Sequence, residues 1–152
     1  MKVNISTHLP CDPNLVIDQV KSPRLLFYVA YPFVKFKPID PSHLPENWIV
    51  GTYWMKLYLF GFIPFGKQAV VITYPKSPNC FQIRDNGYSF LINKWDHMIS
   101  VVSLKNGTLY NDTLIINAGL ITPFIWVFAQ AFYWHRQRRW RQLVKNKFSF
   151  PK

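Results

Sequence analysis

The sequence predicts an α+β domain in which a curved antiparallel sheet of about six or seven strands packs on one long C-terminal helix. Three observations carry this. Turn signals recur between residues 48 and 117 with no helical periodicity between them, the pattern of an antiparallel meander. Residues 121–143 place apolar side chains at helical spacing along one face. The chain has 152 residues, 49% of them hydrophobic and 18% aromatic, enough to fill one core and too few for two comfortable ones. A single domain over 1–152 follows.

Residues 2–8 alternate as a first strand. Pro10 and Asp12-Pro13 then open a helical region reaching about Tyr31, and Pro23 divides it into two short helices because proline suits a helix's first turn. Pro32, Pro38, Pro41 and Pro45 confine Phe33–Lys37 to an edge strand and make 38–47 a loop. Trp48–Phe60 and Lys67–Tyr74 are two aromatic strands joined by Gly61-Phe62-Ile63-Pro64-Phe65-Gly66. Cys80–Arg84 and Tyr88–Ile92 flank Asp85-Asn86-Gly87, which predicts a hairpin turn there. Lys105-Asn106-Gly107 predicts another, between strands 93–104 and 108–117.

In the last segment Thr122 is expected to cap the helix with its hydroxyl, with Pro123 at the first helical position. At 100° per residue, Ile121, Phe124, Ile125, Phe128, Phe132, His135, Arg139 and Leu143 share the face expected to meet the sheet. Trp126, Gln130, Trp134, Gln137 and Arg141 fall on the other. Leu114–Trp134 also invites comparison with a membrane span. Asn117-Ala118-Gly119 and Thr122-Pro123 break that stretch and Gln130 interrupts the remainder, short of the ~20 apolar residues a span needs.

The order of strand, paired short helices, meander and long helix resembles the START-like (SRPBCC) superfamily, which includes pollen allergens, polyketide cyclases and lipid-transfer domains. Leu59-Phe60-Gly61-Phe62-Ile63-Pro64-Phe65-Gly66, Trp95-Asp96-His97, Tyr110-Asn111-Asp112 and Ala118-Gly119-Leu120-Ile121-Thr122-Pro123, running on to His135-Arg136-Gln137-Arg138-Arg139-Trp140, resemble its small bacterial branch. The resemblance implies the helix-grip fold and a cavity between sheet and helix. Both enzymes and plain carriers use that fold, so activity does not follow from it.

Composition bounds the function further. The net charge of +11 points to anionic surroundings. Cys11 and Cys80 stand far apart and the histidines (His8, His43, His97, His135) are scattered, so neither a disulfide framework nor a metal site is expected, and no cofactor. The N-terminal residues lack an apolar h-region, no signal peptide is expected, and the sequons at Asn4, Asn106 and Asn111 read as chance matches in a cytoplasmic protein. No nucleophile motif or phosphate loop is present.

Strand alternation puts His97 on one face with Trp95, Ile99 and Val101, and Asp112 on one face with Tyr110 and Leu114. A buried carboxylate needs a partner, and His97 or an arginine of the last helix can supply it. The pair is either a hydrogen-bonded core feature or a general base. The tip Phe62-Ile63-Pro64-Phe65 is apolar where a hairpin should be polar. It covers the core, gates a cavity, or dips into lipid through Phe62, Ile63 and Phe65. Residues 113–152 contain no acid, while Arg136, Arg138, Arg139, Arg141, Lys145, Lys147 and Lys152 are basic. This is either a solvated helix end or an anion-facing surface carried by the four arginines, with lipid preferred to nucleic acid because no nucleic-acid fold is visible.

The expected function is a non-catalytic carrier of a hydrophobic or amphipathic, lipid-like molecule. Trp54, Trp95, His97, Tyr110, Phe124, Phe128, Phe132 and His135 are its candidate contacts. The alternatives are a cyclase- or dehydratase-like enzyme using His97 and Asp112, and a peripheral protein binding anionic lipid through the basic helix end.

Overall fold

A computed structural model describes residues 1–151; Lys152, the last of the basic residues above, lies outside them. The chain runs β1 (Lys2–Leu9), α1 (Pro13–Val20), α2 (Pro23–Ala30), β2 (Val34–Asp40), β3 (Gly51–Leu59), β4 (Ile63–Thr73), β5 (Phe81–Ser89), β6 (Lys94–Leu104), β7 (Gly107–Asn117) and α3 (Thr122–Lys145). The seven strands form one antiparallel sheet in the order β1-β7-β6-β5-β4-β3-β2. This is the α+β helix-grip arrangement: the sheet carries α3 along one face, and β2, rich in lysine and proline, forms an edge.

Local chemistry explains most boundaries. The Asp12 carboxylate accepts from the Asn14 N–H (2.7 Å) and the Ser22 hydroxyl from the Arg24 N–H (3.3 Å), each ahead of a first-turn proline, so the helical region divides at Pro23. Lys105-Asn106-Gly107 makes the β6–β7 turn as expected. A β-carbon on Gly107 would lie 2.4 Å from the Leu9 carbonyl oxygen, so only glycine lets β1 approach there.

Three expectations are corrected. Asp85-Asn86-Gly87 is no hairpin turn: β5 runs straight through it, and the chain reverses at 90–93 instead. The β4–β5 ladder pairs Ala69 with Tyr88 and Ile72 with Asp85 but opens between them, and the Val71 N–H turns to the Asp85 side chain (Oδ1, 2.8 Å). Gly87 allows the close approach there, since a β-carbon would stand 2.7 Å from the Ala69 carbonyl oxygen. The turn-forming composition thus marks a gap in a ladder. Thr122 does not cap α3; its hydroxyl accepts from the Ala118 N–H and donates to the Gly119 carbonyl, tying down the 3-10 turn Gly119–Ile121.

The third correction concerns the rotation of α3. Its buried residues are Ala129, Phe132, Tyr133, Arg136, Gln137, Trp140 and Leu143. Gln137, expected outside, is inside, and Phe124, expected inside, is 78% exposed. No helix among the described residues is long and apolar enough to cross a membrane.

Because the strands alternate in direction, the β3–β4 and β5–β6 turns, the end of β7 and the start of α3 gather at one end of the sheet. The ends of β1 and β2, the β6–β7 turn and α1 gather at the other. One apolar cluster sits near each end. Leu9, Val16, Met55, Tyr110, Trp140 and Leu143 belong to the second, where each is fully buried. Leu57, Leu114, Ile116, Ala129 and Phe132 belong to the first.

Candidate functional site

Between the sheet and the first half of α3 lies a cavity of about 220 Å3. Apolar side chains wall it: Leu57 and Leu59 from β3, Phe65 from β4, Trp95 from β6, and Phe128 and Phe132 from α3. Its floor is polar, made by Gln68, Asp85, His97 and Arg136. A smaller cavity of about 50 Å3 lies beyond that floor and shares Asp85, His97 and Arg136 with it.

Strand parity brings these groups together. On β5, Ile83, Asp85 and Gly87 turn inward, whereas Arg84 turns outward and holds Asp96 through two hydrogen bonds of 2.7 and 2.8 Å. On β6, His97 faces α3 and its Nε2 reaches Asp112 Oδ1 at 2.7 Å. The same oxygen accepts from the Tyr110 hydroxyl (3.0 Å), and Oδ2 accepts from Gln137 Nε2 (3.3 Å). Arg136 Nη2 stands 3.8 Å from Asp112. The carboxylate expected to need partners has four, two from the strands and two from α3.

Charge is distributed unequally over this cluster. Burial works against the charged form of Asp112, but the Arg136 guanidinium and the hydrogen bonds from His97 and Gln137 outweigh it and hold the carboxyl below its usual range. For His97 burial prevails over the pull of Asp112 and lowers its proton affinity. The imidazole is therefore neutral at neutral pH, with Nε2–H given to Asp112. Asp85 goes the other way. Burial pushes its carboxyl up to about 7, against the opposing Val71 N–H and Arg136 charge. It stands between acid and carboxylate at neutral pH, facing the cavity. Arg136 Nε is buried and has no hydrogen-bond partner.

Of the residues singled out in the sequence, Trp95, His97, Phe124, Phe128 and Phe132 line the cavity, and Phe65 joins them from the hairpin. Phe62 and Ile63 stand exposed at its rim. Tyr110 and Asp112 lie behind the floor rather than in it, buried against α3. Trp54 does not line the cavity: alternation turns Tyr53 and Met55 inward, and Trp54 packs edge-on against Tyr88 on the outer face. His135 also lies outside it, its ring on Phe33 (4.9 Å) and its Nε2 at the Tyr31 carbonyl (2.7 Å).

The four arginines expected on one anion-facing surface are separated. Arg136 is buried, 3% exposed, and belongs to the floor. Arg139 lies over the Tyr28 ring at 3.9 Å and donates to its carbonyl. Arg138 and Arg141 are exposed, Arg141 reaching Thr7 Oγ1 at 3.1 Å. Sequence reasoning missed Asp85 and Gln68. The signal for Asp85 was present, an acid at an inward-facing parity after Ile83, but the Asn-Gly that follows it reads as a turn. No cluster of metal-ligating side chains occurs among the described residues.

No family model and no curated protein matches the chain. Its structure, however, matches 124 chains of known structure. A protein from Arthrobacter aurescens superposes with a TM-score of 0.69 at 10% identity, over 95% of this chain and 86% of that one. For a Chromobacterium violaceum protein the TM-score is 0.66 at 16% identity, over 94% and 96%. A START superfamily protein from Mycobacterium smegmatis gives 0.59 at 15% identity, over 95% and 97%. At such identities the likeness speaks for the backbone alone: the chain has a START-like fold.

Proposed function

We propose that the protein binds and carries a hydrophobic or amphipathic small molecule in the cavity between sheet and α3. The observation that supports this most is the cavity's division into apolar walls and a four-residue polar floor. Apolar burial at roughly 25 cal/mol per Å2 would drive binding, and the floor would orient one polar group of the ligand. Native mass spectrometry of the purified protein, with titration by N-phenyl-1-naphthylamine, tests it. A co-purified mass or saturable fluorescence, lost when Leu59→Trp fills the cavity, is the expected result. Absence of both from the wild-type protein overturns the reading.

A second reading, an enzyme of the cyclase or dehydratase kind, is favoured by one observation: Asp85 and His97, both titratable, share the cavity floor. Asp112 would then position His97 from behind, and Asp85 would move the proton. A bound molecule converted by wild-type protein but not by Asp85→Asn supports this reading. Recovery of the molecule unchanged from both sinks it.

A further inference from the structure

We propose that the mouth of the cavity docks on a membrane surface containing anionic lipid, through apolar tips supplied by three separate turns. The inference rests on the carrier reading, since the docked surface is where an apolar ligand would enter.

The first observation is the apolar rim. Phe90 and Leu120 are each 97% exposed, Phe124 78%, Phe62 74% and Val127 63%. Phe62 belongs to the β3–β4 turn, Phe90 to the β5–β6 turn, and Leu120, Phe124 and Val127 to the 3-10 turn and first turns of α3. Each segment also sends a residue into the cavity: Phe65, Ile92 and Ile125 respectively. The exposed tips therefore surround one opening. Water-facing aromatic side chains at three independent turns are not needed to seal the core, because Phe65, Ile92 and Ile125 already face it.

The second observation is charge. Lys2, Lys35 and Lys94 are exposed at the mouth-side ends of their strands, and the exposed Lys56 and Lys67, paired across β3 and β4, follow three and four residues further in. None of the seven acids is exposed at that end. Asp12, Asp18, Asp40 and Glu46 lie on α1, the end of β2 and the loop before β3, all at the far end. Asp85 and Asp112 are enclosed, and Asp96 is held by Arg84 on the outer face, with Lys94 3.8 Å away. Apolar tips ringed by lysines with no exposed carboxylate suit an interface where side chains enter the acyl boundary and ammonium groups meet headgroups. The same ring opposes docking of a second copy, which would place lysines against lysines across a two-fold axis.

This relocates the membrane contact expected at the basic end of α3. Arg138 is 16 residues beyond Thr122, about 24 Å along the helix from the mouth. Rim and basic end cannot share one flat surface end-on.

The test is flotation of the whole protein with vesicles of phosphatidylcholine alone or with about 30 mol% phosphatidylserine, at low and moderate salt. Binding to the anionic vesicles that falls with salt is expected. Phe62→Asp and Phe90→Asp should each weaken it about tenfold or more, with unchanged melting temperature. Lys67→Gln and Lys94→Gln should each weaken it about fivefold, and Arg138→Gln hardly at all. Equal binding by the rim variants, a loss confined to Arg138→Gln, or no binding to either vesicle overturns the proposal. So does self-association in size-exclusion chromatography that the rim variants abolish without any vesicle binding. Titration of the same variants with N-phenyl-1-naphthylamine keeps the two readings apart, since a docking failure with intact probe uptake leaves the carrier reading standing.

Discussion

The two halves of α3 press on the same sheet in different ways. In the C-terminal half, Trp140 and Leu143 are fully buried against Leu9, Val16, Met55 and Tyr110. The Trp140 ring packs tilted against Tyr110, centroids 4.9 Å apart. In the N-terminal half, Phe128 and Phe132 stack on each other at 5.9 Å and wall a cavity, while Phe124 and Val127 face water. The N-terminal half carries five of the aromatic residues, from Phe124 to Tyr133, and no charge, whereas the C-terminal half carries two tryptophans among five basic residues. Composition alone would bury the first half more completely; what decides is whether the aromatic surface finds protein to cover it. The sealed half holds the fold. The open half leaves apolar surface uncovered, and that surface is available to a ligand or a lipid interface. The buried polar cluster of Asp112, His97, Arg136 and Gln137 lies between them and joins β6 and β7 to α3.

The largest effect should appear where packing is complete. Trp140→Ala is expected to cost about 3–5 kcal/mol in urea denaturation, because a fully buried indole leaves a cavity its neighbours cannot fill. A cost below about 1 kcal/mol would place slack in the sealed half.

A pH comparison sharpens the boundary between the halves. Burial pushes the Asp85 carboxyl up to about 7, well above the usual carboxylate range, so the folded protein holds a proton that the unfolded chain releases. Its contribution to stability is thus largest at acid pH and is lost as pH rises from about 4 to about 7. His97, lowered by burial, and Asp112, lowered despite it, act in the opposite sense, losing stability as pH falls. The difference between wild type and Asp85→Asn isolates the carboxyl. Relative to the variant, wild type should lose on the order of 3 kcal/mol across that window. Parallel stability curves for the two proteins would show that Asp85 is solvated like a surface acid.

The smallest effect belongs to the open half. Phe128→Ala should cost only about 1–2 kcal/mol, less than an enclosed phenylalanine, because one side of the ring already faces the cavity. Uptake of N-phenyl-1-naphthylamine should change much more than stability does. A loss matching that of Trp140→Ala, with probe uptake unchanged, would mean that Phe128 is enclosed by protein and that the cavity is no binding site.

Much of this organisation was legible in the residues. Alternation with a period of two placed His97 inward on β6 and Asp112 inward on β7, and the register, with His97 opposite Leu114 and Asp112 opposite Ile99, brings them within 2.7 Å as diagonal neighbours. Prolines at 13 and 23, with Asp12 and Ser22 before them, set the two short helices by local hydrogen bonding. The rotation of α3 was less legible. Phe124, Trp126, Val127, Phe128, Phe132, Tyr133 and Trp134 cover its whole circumference, so an apolar stripe has no sharp centre in this segment. The phase came out displaced, leaving Phe124 outside and bringing Arg136 and Gln137 in.

What the sequence determined by itself, then, is what depends on neighbours a few residues away: the order of the elements, the starts of α1 and α2, the β6–β7 turn and the inward side of β6 and β7 that His97 and Asp112 occupy. Only the tertiary structure decided that β5 runs through Asp85-Asn86-Gly87, because the gap in the β4–β5 ladder depends on Val71, a residue on another strand. It alone gathered Phe62, Phe90 and Leu120 around one opening, since the antiparallel order of seven strands brings distant turns to the same end. Which way Arg136 points was settled likewise, by a buried carboxylate on β7 that makes the inward position of its guanidinium favourable.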